Sequence, residues 1–297
     1  MIKPNFLIIG AAKAGTSSLY HYLNEHPQIY MSPVKEPRFF APELYTDYLK
    51  DPYRSGAKDH RSSPMSTEEY FALFEDASSE TAIGEASTEY LYVPKTPERI
   101  KAQLPDVKLI TVLRDPAERA YSAFCYQVRD GCEQLTFEEA LAQEEERRVE
   151  KKRWPGWHYK RVGFYYDQIK RYFDLFDRAQ IKVYLYEDLQ SDSGAVVQDA
   201  CRFLNVEDTF TPDLTRRNVS AIPKNMALQN LLIKDNPLKT IVRPFIPGGL
   251  RKSIRSQNLK KKPALPAEIR QKLIADYRED ILNLQTLIQR DLSGWII

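Results

Sequence analysis

The sequence predicts an α/β protein, one domain over residues 1–297, with a central parallel sheet covered by helices on both faces. Apolar, β-branched runs such as "NFLIIGA", "KLITVLRDP" and "IKVYLYEDL" read as buried strands. Segments with apolar residues at helical spacing alternate with them. No internal repeat and no low-complexity linker divides the chain, and 297 residues suffice for one large core.

In chain order, "NFLIIGA" is a strand opening into a small-residue turn, followed by a helix from about Thr16 to Glu25 that Pro27 stops. Ala41 to Pro64, rich in Pro, Tyr and charge, reads as a long surface excursion. "STEEYFALFED" starts with a capping box, Ser66 with Glu69 three residues on, and so predicts a helix. "TAIGEAS" is a short strand, and "TPERIKAQLP" a helix with Pro97 in its first turn, where a missing N–H costs least. "KLITVLRDP" is the clearest strand and ends at Arg114-Asp115-Pro116; "ERAYSAFCYQVRD" is the helix after it. "TFEEALAQEEERRVEKKR" reads as a charged surface helix, and "YYDQIKRYFDLF" as an amphipathic one. "IKVYLYEDL" is a buried strand and "VVQDACRFLNV" a helix; Arg216 to Lys262 is loop-rich, and "PAEIRQKLIADYREDILNLQTLI" is a terminal helix or a broken pair.

Composition excludes several classes. Hydrophobic residues make up 42% and charged residues 28%, ordinary for a soluble domain. A net charge of +2 gives no bulk field for nucleic acid, so nucleic acid is not an expected partner. No run approaches the ~20 apolar residues needed to span a bilayer, and Lys13 interrupts the N-terminal run too soon for a secretory leader. Three cysteines and four histidines lie at no metal-ligand spacing, so the expectation is a reducing cytoplasm, no disulfide and no metal.

The chemistry concentrates in "IGAAKAGTSSL". Gly10 and Gly15 flank a turn between strand and helix, where backbone N–H groups and the positive helix end make an anion cradle. A Walker loop places Lys directly after its second Gly; here Thr16 and Ser17 follow Gly15, and Lys13 precedes it. Lys is costly to bury without an anion, and "AAKAG" has little bulk to hide it. Asp115 is poorly placed for magnesium, because Arg114 adjoins it. That arrangement suits a second phosphate better than a metal.

Three motifs then coincide. "GAAKAGTSSL" resembles the 5′-phosphosulfate loop of the sulfotransferases, and "LRDPAERAYSAF" resembles their 3′-phosphate motif. "SPVKEPRFF" resembles the K-E-P-H-F-F element of the heparan-sulfate-type branch, which is also widespread in bacterial sulfotransferases. "IGEASTEYL" resembles that branch's G-E-K-[ST]-P-x-Y-[FL] segment, and the likeness runs over most of the chain. It implies a P-loop-like three-layer fold, the donor 3′-phosphoadenosine 5′-phosphosulfate with product adenosine 3′,5′-bisphosphate, and no metal. On this likeness Lys13, Ala14, Gly15, Thr16, Ser17 and Ser18 hold the 5′-phosphosulfate, with Lys13 stabilising the leaving group. Arg114 and Ser122 match the 3′-phosphate ligands, and an arginine offers a fork that lysine lacks. Glu36 matches the general base, with Lys35 beside the transferring group. Lys260, Lys261 and Lys262 stand where the family closes a K-G-R segment on the nucleotide; the missing glycine leaves the match among them open, with Lys261 and Lys262 taken as candidates.

The chain departs from the pattern where the acceptor binds. Arg38 replaces the family's His, Ala86 replaces its Lys, and Ala41 follows the paired phenylalanines. Arg38 is read as orienting an acceptor or acting on Glu36, and Glu85 as a second carboxylate in the cleft. Arg119 reads as a surface ion pair and Tyr165 as core. "RRVEKKRWPGWHYKR" is compatible with a nucleic-acid patch but reads better as an aromatic, basic lid or rim for a carbohydrate or an acidic acceptor. The implied activity is sulfonate transfer to a hydroxyl, less readily an amine, of a carbohydrate or small-molecule acceptor. The alternatives are a non-catalytic module binding the bisphosphate, or a P-loop kinase. Acceptor identity and oligomeric state stay open.

Overall fold

Residues 1–46, 63–151, 153–214, 221–233 and 257–297 are described by the computed structural model. Strand β1 (Phe6–Gly10) is buried along its whole length, as a strand covered on both faces must be. It pairs in parallel with β3 (Ala82–Ala86) on one side and β4 (Lys108–Leu113) on the other. The outer strands are β2 (Ile29–Met31) and β5 (Ile181–Leu185), giving the order β2-β3-β1-β4-β5, all parallel. In such a sheet ligands bind beyond the carboxyl ends of the strands, where connections leave in opposite directions. Here that place lies between β1 and β4, because β1 leads by helix α1 (Thr16–Asn24) to β2 on one side, while β4 leads toward β5 on the other. Gly84 lets the sheet close: a Cβ there would stand 2.5 Å from the Phe6 ring.

Several expectations are met at the atomic level. The Ser66–Glu69 capping box starts α3 (Thr67–Ala72), with both reciprocal hydrogen bonds present. Pro97 sits in the first turn of α4 (Thr96–Gln103). Pro116 opens α5 (Pro116–Arg129), whose N-cap is Asp115, accepting from the amides of Ala117 and Glu118. The terminal segment is one helix of 22 residues, Ala267–Ile288.

Other expectations are corrected. The excursion after Phe40 begins as a short helix, α2 (Glu43–Thr46), with Leu44 and Tyr45 in the core; its residues 47–62 lie outside the described residues. The charged "TFEEALAQEEERRVEKKR" helix breaks into α6 (Phe137–Ala142) and α7 (Glu144–Val149). It is not wholly a surface element. Glu144 is buried because its carboxylate accepts the amides of Lys160 and Arg161, and Arg147 because it pairs with Glu133 over the Trp157 ring. Arg119 is fully buried, donating to the Tyr159 carbonyl, rather than in a surface pair. Helix α8 (Tyr166–Phe173) forms as expected, and Tyr165 before it is core. β5 runs into α9 (Tyr186–Ser191) and then α10 (Ser193–Leu204).

Within the loop-rich stretch, β6 (Ala221–Pro223), α11 (Met226–Ile233) and β7 (Leu259–Lys261) are formed; residues 234–256 lie outside the description. β6 and β7 pair antiparallel, and Asn258 bonds to Asn225 beside them. Gln229 of α11 donates to the Arg129 carbonyl, tying this unit to the end of α5. The terminal helix, α12 (Ala267–Ile288), holds α5 through Arg270 to Asp115 at 2.8 Å. It holds the start of α8 through Asp280, which accepts from the amides of Tyr165 and Tyr166. Among the described residues no helix is long and apolar enough to cross a membrane.

Candidate active site

The loop between β1 and α1 is shaped by backbone conformations that few residues adopt. Gly15 has φ +96, and a Cβ there would meet Tyr186 at 3.0 Å and Leu189 at 3.2 Å on α9. Lys13 also has a positive φ, 71, unusual for a residue with a side chain. The turn closes through Ala14 N–H to the Ala11 carbonyl and Ser18 N–H to the Gly15 carbonyl. The amides of Thr16 and Ser17 lie in the first helical turn, where no intrahelical acceptor exists, and Ser17 and Ser18 carry partly exposed hydroxyls.

Cations gather around this turn. The Lys13 ammonium lies 4.2 Å from the centre of the Tyr126 ring. Burial, with the nearby Arg129 charge, lowers its pKa to about 8, while Asp130 and Glu36 act in the other direction. Lys35 donates to the Ser17 hydroxyl, which brings the K-E-P loop against the first turn of α1. Arg114, at the end of β4, donates to the Lys13 carbonyl at 3.4 Å and stacks on Tyr186 at 4.5 Å. Ser122 is buried further along α5. Lys262, just after β7, pairs with Glu118 at 2.8 Å and lies over Tyr121. Lys261 and Lys260 are exposed on β7. Of the three lysines, Lys262 is therefore the one the fold turns toward Arg114.

This donor set suits anionic oxygens such as those of phosphate groups. One anionic group suits Lys13 and the first-turn amides; a second suits Arg114 and Lys262. Asp115 is committed elsewhere, capping α5 with one oxygen and pairing Arg270 with the other.

The adjoining loop is built by left-handed backbone at Glu36 (φ 56) and Arg38 (φ 54). The Glu36 amide donates to the Ala86 carbonyl, docking the loop on the end of β3. Arg38 is buried and donates to Glu36 at 2.6 Å; its Nε faces Glu89 at 3.3 Å, and its guanidinium lies 4.8 Å from the Trp154 ring. Thr88 donates to Glu36 at 3.3 Å. Trp154 of the basic segment thus reaches the loop that carries Glu36 and Arg38.

Glu85 does not line the cleft. It is fully buried, accepts from Ser87 at 2.9 Å and Tyr70 at 3.4 Å, and burial raises its pKa to about 8. The carboxylate beside Arg38 is instead Glu89, which burial also pushes up. Glu118, Tyr126, Tyr186 and Glu89 were missed from sequence. Glu118 had a signal, since it stands one helical turn after Arg114, at ion-pair spacing. Tyr186 had none, because α9 reaches the loop only through the fold.

The family model for a sulfotransferase domain matches residues 3–283. The chain is similar to a solved sulfotransferase structure from Alicyclobacillus acidocaldarius, with 35% identity, a TM-score of 0.78 and 99% of each chain covered. It is 25% identical, over 99% of its length, to the mouse bifunctional heparan sulfate N-deacetylase/N-sulfotransferase 4, of which it covers 31%. Mouse carbohydrate sulfotransferase 15 is 29% identical over 41% of the chain and 27% of that protein. The chain thus spans a third or less of the length of these curated relatives.

Proposed function

The chain belongs to the sulfotransferase domain family, and from that premise we propose that it transfers a sulfonate from 3′-phosphoadenosine 5′-phosphosulfate to a hydroxyl of a carbohydrate or small-molecule acceptor. One observation carries the reading: Lys13 and Arg114 are joined by a hydrogen bond at the carboxyl edge of the sheet, with Glu36 on the adjoining loop. When bound, the donor supplies an activated sulfonate on a 5′-phosphate leaving group.

Lys13 and the amides of Thr16 and Ser17 hold the 5′ end and neutralise the charge that grows on the leaving oxygen. Arg114, Ser122 and Lys262 hold the 3′-phosphate. Lys35, beside Ser17, sits between the donor loop and the base and steadies the transferring group. Glu36 takes the proton from the acceptor as it attacks. Arg38 positions Glu36, and Trp154 offers an aromatic face at the mouth of this subsite. An amine acceptor is the second reading, favoured by the N-sulfotransferase names of several relatives.

The test is donor-dependent transfer of labelled sulfonate to a panel of carbohydrate and small alcohol acceptors. Glu36→Gln is expected to keep bisphosphate affinity within about twofold of wild type and to lose transfer by about 10²–10⁴-fold. Full transfer by that variant would remove Glu36 as base; nucleotide binding without transfer by wild type would leave a binding module.

A further inference from the structure

Glu118 places one carboxylate oxygen, Oε2, against both cations of the second anion pocket: Arg114 Nη2 at 3.2 Å and Lys262 Nζ at 2.8 Å. The two cations are largely enclosed, their side chains only 11% and 15% exposed. Burial works against charge on Glu118, yet the Lys262 hydrogen bond and the Lys262, Arg114 and Arg270 charges hold its pKa below the ordinary range. Glu118 is thus an ionised group bound where phosphate oxygens would bind. A phosphate drawn to Arg114 and Lys262 meets a like charge already in their grasp, and must displace it or sit against it.

We propose that Glu118 is an internal counter-anion that the ligand's 3′-phosphate displaces, so that it sets how tightly the bisphosphate product is held. This rests on the donor reading above. Arg114 and Lys262 then exchange one anion for another, and the 3′-phosphate contributes less net affinity than two enclosed cations would otherwise give. Lys262 follows β7, so the same exchange keeps the β6–β7 unit drawn onto α5 before and after the ligand arrives. A carboxylate that recaptures both cations also favours departure of the spent nucleotide. The competing role is a strut: Glu118 would merely aim Arg114, and its loss would weaken binding.

The two roles predict opposite signs. Titration calorimetry compares adenosine 3′,5′-bisphosphate with adenosine 5′-monophosphate on wild type and Glu118→Gln, an isostere that removes the charge. The bisphosphate is expected to bind the variant about 5–50-fold more tightly, from slower dissociation, with the monophosphate unchanged within about twofold. Glu118→Ala carries the same expectation and replaces the first variant should that one fail to fold. Bisphosphate affinity that is unchanged or weaker in the variant overturns the proposal while leaving the donor reading intact. Failure of the bisphosphate to bind wild type overturns both.

Discussion

Lys13 carries two energetic costs at one position. Its backbone is left-handed and its side chain is half-buried beside Arg129, which lowers its pKa to about 8. Both features oppose folding, and the second is relieved when an anion arrives. An anionic phosphosulfate or bisphosphate raises the ammonium's pKa again, so between the free and bound values binding takes up a proton. Affinity is therefore expected to be flat from about pH 7 to 7.5 and to fall above pH 8, by up to about tenfold per unit. Neighbouring Cys125 and Tyr126 are pushed up to about 11 and 12 by burial and do not titrate in this window. Calorimetry in two buffers of different ionisation enthalpy checks the proton uptake; a dissociation constant unchanged from pH 7 to 9.5 would contradict it.

At the scale of elements, α5 carries the second anion pocket, and its start is pinned twice. Asp115 Oδ1 caps the helix through Ala117 and Glu118, while Oδ2 receives Arg270 from α12. Asp115→Ala should cost about 1–3 kcal/mol in urea unfolding, because a cap is lost and Arg270 loses its partner. It should also weaken bisphosphate binding, since Arg114 precedes the cap and Ser122 follows it. Asp115→Asn keeps the capping oxygen and should recover most of the stability; equal loss in both variants would show that the ion pair, not the cap, dominates. These elements were legible because their signals are local. The Ser66–Glu69 box, Pro97, Pro116 and the buried run of β4 each dictate their own backbone. The anion loop was legible for the same reason, as order along the chain. What stayed hidden depends on distant partners. Glu144 reads as solvated until the amides of Lys160 and Arg161 are seen to claim it. Glu85 reads as a cleft residue until Tyr70 and Ser87 close over it, and β2 is too short to show a period.

Across the whole molecule, two buried carboxyls with large shifts lower stability as pH rises. Glu85 lies under the loop that carries Glu36, and burial raises its pKa to about 8. Asp280 joins α12 to α8, and burial raises it to about 6, although the Tyr165 and Tyr166 amides pull it back. A carboxyl whose folded pKa exceeds its unfolded one binds more protons folded than unfolded between the two values. Its stabilising contribution is present below the unfolded pKa and is lost as pH rises through the folded one. For Glu85 the loss spans roughly pH 4.5 to 8, with a slope of up to about 1.4 kcal/mol per unit. For the partly exposed Asp280 it spans roughly pH 4 to 6 and is smaller. Carboxylates with lowered pKa values, such as Glu133 beside Arg147, act oppositely: their contribution is present above the unfolded value and disappears in acid. Lys13, lowered to about 8, adds stability only as pH rises from there toward 10.5. His158, held at about 4 by burial, acts with the opposite sign between about pH 4 and 6.5, so the fold should change little from pH 5 to 6.5 and weaken from there toward pH 8. Glu85→Gln keeps an oxygen for Ser87 and Tyr70 and removes the ionisation. Urea unfolding of the two proteins at intervals from pH 6.5 to 8 should show the slope in wild type and a flatter profile in the variant. Parallel profiles would mean that Glu85 is charged inside the folded protein, and that the hydroxyls of Ser87 and Tyr70 stabilise that charge more than burial penalises it.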